Sequence, residues 1–178
     1  MPSENPDLPA REQIRQLLYR YPRGLDRLDR DILLSIGHES ATVEFRGMFS
    51  GSWQKFVDWL MSAHSTMLYN RHTIGNILME VQGAAAASET TATANLLVRR
   101  QDGRIEDRTV HSRYLDRWRL DAGRWSLAHR LTLRDLRCVR VITEQELAAS
   151  TEYVHAADVG RSDPSYEHFA TFLTQGSR

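Results

Sequence analysis

The chain has 178 residues, which suits one domain with a substantial hydrophobic core. Its composition, 41% hydrophobic and 26% charged, is typical of a soluble globular protein and not of a disordered one. Basic and acidic residues both number 23, so the net charge is zero and no overall basic field would attract nucleic acid.

The cysteine count and the apolar runs bear on where the protein works. Its single cysteine, Cys138, excludes an intrachain disulfide. No early apolar run resembles a signal peptide, and no run is long enough to span a bilayer. We therefore expect a cytoplasmic protein that binds no membrane.

The N-terminal part of the chain is predicted to be helical. Residues 1–8 contain two prolines and several polar residues, and we expect a flexible arm there. A helix follows, because apolar residues recur at helical spacing: Ile14, Leu17, Leu18 and Tyr21. Pro22 and Gly24 predict a kink or a break. A second helix is expected over Leu25–Ile36, ending at Gly37.

The rest of the chain is predicted to be mostly strand. Thr42–Phe45 alternates like a short strand, and Ser52 is placed to cap a third helix. Hairpin turn residues then separate four long strands, predicted over 72–80, 86–100, 104–120 and 125–141. A short helix near 144–150 and a turn at 162–165 complete the chain.

This order, helices followed by a meander of strands, predicts an α+β fold. Long strands joined by tight turns form a curved, mainly antiparallel sheet, and the N-terminal helices would pack on one of its faces. Such a sheet closed by helices makes a cone with a cavity at its open end. We expect a single domain over 1–178, with 143–178 as a C-terminal extension.

Several stretches together resemble one known group of proteins. They are Tyr21–Asp31, His72–Asn76, Arg113–Arg117, Gly123–Trp125 and Arg161–Tyr166. In these segments the chain resembles the SnoaL-like branch of the nuclear-transport-factor-2-like (NTF2-like) superfamily, whose fold is a cystatin-like cone. The resemblance covers roughly residues 9–170. That fold hosts many activities, so the likeness is specific as to fold and much less so as to substrate.

The resemblance implies a site. Bile-acid 7α-dehydratase, hexachlorocyclohexane dehydrochlorinase and, further off, scytalone dehydratase are proteins of this type. They perform base-assisted elimination with an Asp–His pair and without metal or organic cofactor. Asp26 and His72 stand where that pair is expected. Arg130 matches the arginine of the dehydrochlorinase site, and Tyr21 matches the tyrosine of the bile-acid enzyme.

The chemistry of these four side chains fits proton transfer. A carboxylate can orient an imidazole, the imidazole can take a proton, a guanidinium can hold an anion, and a phenol can donate a hydrogen bond. Plainer interpretations stay open for each. Asp26 could be a surface acid and His72 an edge histidine bonded to backbone. Arg130 could pair with a surface acid, and Tyr21 could simply belong to the apolar face of its helix.

Three further residues are candidate substrate contacts. Tyr114 and Trp118 would line the cavity or, alternatively, form a cross-strand ladder in the core. Asn95 stands near the position of a further acidic group that we associate with the bile-acid enzyme. The remaining histidines are weaker candidates for the base: His38, His64, His111, His129, His155 and His168. His129 precedes Arg130 in a strand and must face the other side of the sheet.

These observations favour a cofactor-independent enzyme. The sequence contains no cluster of histidines or cysteines at the spacing of metal ligands and no glycine-rich nucleotide loop, so no cofactor is expected. It also lacks the Gly-x-Ser-x-Gly elbow of serine hydrolases. We expect a dehydratase-like lyase or an isomerase acting on a cyclic, apolar small molecule. A polyketide cyclase or ketosteroid-type isomerase is an alternative. So is a non-catalytic module, such as a ring-hydroxylating dioxygenase small subunit. The protein is expected to form a homo-oligomer, with a trimer favoured over a dimer.

Overall fold

The computed structural model describes residues 7–151 and 160–175, and it has the predicted α+β architecture. Of the arm expected over residues 1–8, residues 1–6 lie outside the described residues, as does His155, and the first helix already begins at Leu8. The elements in chain order are α1 Leu8–Asp26, α2 Arg30–Ile36, β1 Gly37–Phe45, β2 Phe49–Ser52, α3 Trp53–His64, β3 Tyr69–Gln82, β4 Ala85–Arg99, β5 Ile105–Asp121, β6 Arg124–Ile142, α4 Glu144–Thr151 and α5 Pro164–Gln175.

All six strands form one mixed sheet in the order β2-β1-β6-β5-β4-β3. The pairs are antiparallel except β1 with β6, which run parallel. The hairpins turn at glycines such as Gly103 and Gly123, whose φ angles of 85° and 78° disfavour any other residue. The predicted curved sheet with N-terminal helices on one face is therefore confirmed, and the cavity lies between the two.

Helix α1 corrects one prediction, because it continues through Pro22 to Asp26 without a break. A proline inside a helix costs about 3 kcal/mol. Here the same turns bury Leu18, Tyr21 and Leu25 almost completely, and that packing offsets the cost. The second helix is shorter than predicted, because Asp29 caps it by accepting a 3.0 Å hydrogen bond from the Ile32 amide.

Helix α1 also covers strand β3, which is an edge of the sheet. The Arg11 guanidinium donates to the Met79 carbonyl at 2.5 Å. At the other end of the helix, the Asn70 side-chain amide donates to the Leu25 carbonyl at 3.0 Å. The Asn70 contact fixes the C-terminal end of α1, where Asp26 lies, against the start of β3, and the Arg11 contact fixes the N-terminal part of α1 against the end of β3.

The C-terminal segment docks against the junction between α1 and α2. Arg27 forms a 2.9 Å ion pair with Asp163, and the Tyr166 hydroxyl donates to Asp29 at 2.6 Å. The predicted turn at 162–165 leads into a helix, α5, that was not predicted. In the part of the chain that the structure describes, no helix is both long and apolar enough to cross a bilayer.

Candidate active site

Asp26 and His72 form a hydrogen-bonded pair at the junction of the helical layer and the sheet. His72 Nδ1 lies 2.9 Å from Asp26 Oδ1, and the backbone amide of His72 donates to the two carboxylate oxygens at 3.0 and 3.1 Å. The amide is free to do so because β3 is an edge strand. An ionised carboxylate can only accept, so this hydrogen bond requires a proton on Nδ1, and in a neutral ring Nε2 is then the acceptor nitrogen.

The pair is mostly shielded from water. The exposed fraction of the side chain is 8% for His72 and 16% for Asp26. His72 lines a cavity of about 420 Å³, whereas Asp26 lies behind it and does not. A carboxylate that binds one ring nitrogen of a histidine leaves the other ring nitrogen available to a bound molecule.

His64 is a second histidine at this site, and it ranked only as a weaker candidate in the sequence. Its ring lies almost parallel to that of His72, with centroids 5.5 Å apart and an interplanar angle of 21°. Burial, reinforced by the charge of a protonated His72, lowers the pKa of His64 to about 4. His64 therefore stays neutral at physiological pH. No local sequence pattern indicated this contact, because it joins the end of α3 to β3.

The cavity is lined mainly by apolar side chains, with several polar groups among them. Its apolar lining includes Leu25, Phe45, Phe56, Trp59, Leu60 and Val110. Tyr21, Tyr114, His64 and His72 contribute polar atoms to the lining. An apolar pocket with a few converging polar groups suits a small organic ligand.

Arg130 lies beneath this cavity in a sealed ion pair. Its guanidinium donates to both oxygens of Asp116, with Nε and Nη2 each 2.8 Å away. Both side chains are 0% exposed. Burial disfavours the charge on Arg130, but Asp116 outweighs it and raises its pKa further above the ordinary value. The remaining nitrogen, Nη1, is buried without a hydrogen-bond partner among the described residues.

Two tyrosines separate Arg130 from the cavity. The guanidinium carbon lies 4.2 Å from the centre of the Tyr21 ring and 4.3 Å from that of Tyr114. The two rings meet edge to face at 5.5 Å. Burial raises the pKa of Tyr21, with the charge of Arg130 opposing it, and burial also raises the pKa of Tyr114. Both phenols therefore keep their protons and can act as hydrogen-bond donors.

The four leading candidates thus form two groups. Asp26 and His72 are joined directly, and Tyr21 and Arg130 are in contact. Tyr21 and His72 line the same cavity, but Arg130 does not reach it. Direct binding of an anion by Arg130 does not fit this arrangement, because Asp116 and the tyrosine rings already occupy its surroundings.

Of the three candidate substrate contacts, only Tyr114 lines the cavity. Trp118 is buried in the core beyond it, where its indole nitrogen donates to the Ser88 hydroxyl at 2.9 Å. Asn95 accepts from the Thr109 hydroxyl at 3.2 Å. It alternates with two cavity-lining neighbours, Ala94 and Leu96, so its side chain leaves the opposite face of β4.

His129 lies on the other side of the sheet from Arg130, as predicted. Its Nδ1 is 2.8 Å from the Thr42 hydroxyl, and it does not line the cavity. This leaves His72 and His64 as the histidines among the described residues that line the cavity.

The sequence places the protein in a family. Residues 6–131 match the SnoaL-like domain, which is more than half of the chain, so the chain belongs to the SnoaL-like family. Among curated proteins, none matches the sequence.

Solved structures support the same NTF2-like fold. A putative scytalone dehydratase from Novosphingobium aromaticivorans superimposes with a TM-score of 0.65 at 16% identity, covering 77% of this chain and 91% of the other. A LinA-type3 hexachlorocyclohexane dehydrochlorinase from Novosphingobium barchaimii gives 0.63 at 15% identity, covering 77% and 92%. A protein of unknown function from Mycobacterium tuberculosis gives 0.62 at 19% identity, covering 89% of both chains. At these identities the likeness concerns the fold.

Proposed function

We propose that the protein is a cofactor-independent lyase or isomerase, in which His72 removes a proton from a cyclic, mainly apolar small molecule. The observation that carries the proposal is the hydrogen bond between Asp26 and His72 Nδ1 behind the cavity wall. It leaves the base nitrogen, Nε2, to the molecule in the cavity. The dehydratase and dehydrochlorinase among proteins of this fold add support at the level of reaction class.

In the proposed step, Nε2 of His72 takes a proton from a carbon next to a leaving group or a carbonyl. In an elimination, the electrons of the C–H bond form a double bond and the leaving group departs with its own electron pair. In an isomerisation of a β,γ-unsaturated ketone, the electrons of the C–H bond form a dienolate with its negative charge on the carbonyl oxygen. The proton then returns from His72 to the γ carbon as the carbonyl re-forms and the double bond moves into conjugation with it. Asp26 stabilises the imidazolium that forms, since its carboxylate is already hydrogen bonded to Nδ1.

Tyr21 and Tyr114 are proposed to act at the other reacting atom. Both keep their phenolic protons, because burial raises their pKa values, and both line the cavity. A phenol can donate to a departing hydroxyl or a developing enolate oxygen. In this proposal Arg130 acts through the two rings, by favouring negative charge on their oxygens, and does not touch the substrate.

The test compares the pair with matched residues outside the cavity. A panel of cyclic alcohols, halides and ketones with an acidic C–H bond is first assayed with the wild-type protein. His72→Gln and Asp26→Asn are expected to lower turnover by about 10² to 10⁴, the usual contribution of general base catalysis. His129→Gln and Asp135→Asn change the same residue types outside the cavity lining and should stay within about twofold of wild type.

Near-wild-type turnover by a correctly folded His72→Gln variant would contradict the proposal. A wild-type protein that converts none of the panel, and exchanges no carbon-bound proton in D₂O, would favour the non-catalytic binding module.

A further inference from the structure

Four arginines line the same cavity as His72, and the proposed proton transfer uses none of them. They are Arg100, Arg108, Arg134 and Arg137, called here the arginine cluster. The exposed fraction of the side chain is 14% for Arg108, 41% for Arg137 and 52% for Arg100. The cluster therefore runs from the half-buried wall to the open end, away from the two tyrosines.

The charge in the cavity is strongly one-sided. No aspartate or glutamate of the described residues belongs to the cavity lining. One carboxylate, Glu106, is two residues before Arg108 on the same face of β5, and it accepts from Arg108 at 2.6 Å and from Arg137 at 3.4 Å. Arg100 lies 3.7 Å from the same carboxylate. A single negative charge thus serves three guanidinium groups, which leaves most of their donors unused.

Arg134 forms no ion pair with an acidic residue in the part of the chain that the structure describes. Its contacts are the Met48 sulfur and the face of the Phe45 ring, whose centre is 5.6 Å from the guanidinium carbon. Both Met48 and Phe45 line the cavity. A guanidinium held by a thioether and an aromatic ring keeps its full charge available for an anion.

A β-bulge is what brings two of these arginines to one face. Arg134 and Arg137 are three residues apart, so a regular strand would point them to opposite sides of the sheet. The pairing of β6 with β5 shifts between Ser112, which is opposite Arg134, and His111, which is opposite Leu136. The shift leaves Asp135 as the extra residue, and both arginines then line the cavity.

Strand register also gives the distance between the cluster and the proposed base. His72, Ala94, Val110 and Arg137 are successive partners across four strands. Strands lie about 4.8 Å apart, so the backbones of His72 and Arg137 are separated by roughly 14 Å. The side chains of both line the cavity, so one bound molecule can contact both.

We propose that the arginine cluster binds an anionic group, a carboxylate or a phosphate ester, carried by the molecule whose ring lies against the apolar wall near His72. This inference rests on the proposed function, because it assigns the substrate class of that site. The anion would anchor one end of the substrate at the open end of the cavity. The reacting carbon would lie at the other end, beside the imidazole.

The test uses three naphthalene probes that differ only in one substituent: 2-naphthoate, 2-naphthyl phosphate and the neutral 2-naphthalenemethanol. Dissociation constants are measured by calorimetry at low salt and again at 0.5 M NaCl. At least one anionic probe is expected to bind about tenfold or more tighter than the neutral probe, and this advantage should shrink in high salt. Tighter binding of the carboxylate or of the phosphate identifies which source of negative charge the cluster prefers.

Two variants and one control locate the effect. Arg108→Gln and Arg137→Gln should each weaken the preferred anionic probe by about threefold to tenfold, with the neutral probe within about twofold. Arg140→Gln is the matched control, because Arg140 is in the same strand but pairs with Asp107 and Glu146 and does not line the cavity. Arg137→Gln remains informative if Arg108→Gln, whose side chain is more buried, fails to fold.

Three results would overturn the inference: equal affinity for neutral and anionic probes, failure of both anionic probes to bind, or an equal loss in Arg140→Gln. The binding measurement does not depend on turnover, so the two proposals can fail separately. If His72→Gln is inactive but the wild-type protein shows no preference for anionic probes, the proposed proton transfer stands and the anion site is refuted. If His72→Gln is active but the wild-type protein clearly prefers an anionic probe, the anion site stands and the proposed proton transfer is refuted.

Discussion

The Asp26–His72 pair and the Asp116–Arg130 pair each join a carboxylate to a nitrogen base inside the protein, but their surroundings differ. Asp116 gives both oxygens to Arg130 at 2.8 Å, and neither side chain is exposed. Asp26 binds one nitrogen of His72, whose other nitrogen is left for a molecule in the cavity. The tyrosines that line the cavity also cover the guanidinium of Arg130.

Spare hydrogen-bonding capacity, and not burial or charge alone, separates a reactive pair from a structural one. A bidentate arginine–carboxylate pair without access has little left to offer a substrate. An imidazole held through one nitrogen keeps a second nitrogen that can take a proton. We therefore expect changes in the Asp116–Arg130 pair to affect mainly stability and changes in the Asp26–His72 pair to affect mainly turnover.

The largest effect on stability is expected from Asp116→Asn. This change leaves the charge of Arg130 buried without a counter-ion and should lower the free energy of unfolding by about 3 to 5 kcal/mol. Asp135→Asn is the control, because Asp135 pairs with the partly exposed Arg113 and should cost no more than about 1 kcal/mol. Urea unfolding of the two variants measures the difference. Equal, small losses would mean that the sealed pair is not a structural element.

A smaller effect on stability is expected from protonation of His64, the histidine that stacks on His72. The unfolded chain protonates this histidine below about pH 6.5, whereas the lowered pKa delays protonation in the folded protein to about pH 4. The unfolded state thus binds more protons in that window, and stability should fall as the pH drops from 6.5 to 4. The contribution is at most about 3 kcal/mol.

Urea unfolding at a series of pH values measures this contribution. His64→Gln should lose less stability than wild type between pH 6.5 and 4. His168→Gln, in which an exposed histidine of α5 is changed, should follow the wild-type curve. A His64→Gln curve that also follows wild type would show that the burial of His64 beside His72 has no energetic consequence.

Much of the fold could be predicted from the sequence because the turns are local signals. The hairpin glycines bracket strands that begin and end within a few residues of the predicted bounds. The break considered at Pro22 does not occur, because the propensity of one residue was outweighed by the packing of Tyr21 and Leu25 on either side. Helix α5 was missed, because its contacts with Asp29 and Arg27 are made far away in the sequence.

The site was predicted in part. The proximity of Asp26 and His72 followed from the resemblance, and no local pattern would have given it. The burial of Arg130 against Asp116 depends on the register of β5 and β6. This register includes two bulges that no sequence pattern predicted. One of these bulges, at Asp135, decides that Arg134 and Arg137 share a face. The expected trimer, the substrate contacts and the catalytic roles stay predictions.

The proposal that Nε2 of His72 is the base is tested most directly by determining the tautomer of this ring. In ¹⁵N-labelled protein, long-range ¹H–¹⁵N correlations at a pH where the ring is neutral report which nitrogen carries the proton. We predict a proton on Nδ1 in the wild-type protein, because Asp26 accepts from that nitrogen at 2.9 Å, and a shift toward Nε2 in Asp26→Ala. A wild-type ring protonated mainly on Nε2 would contradict it, since no basic nitrogen would then face the cavity.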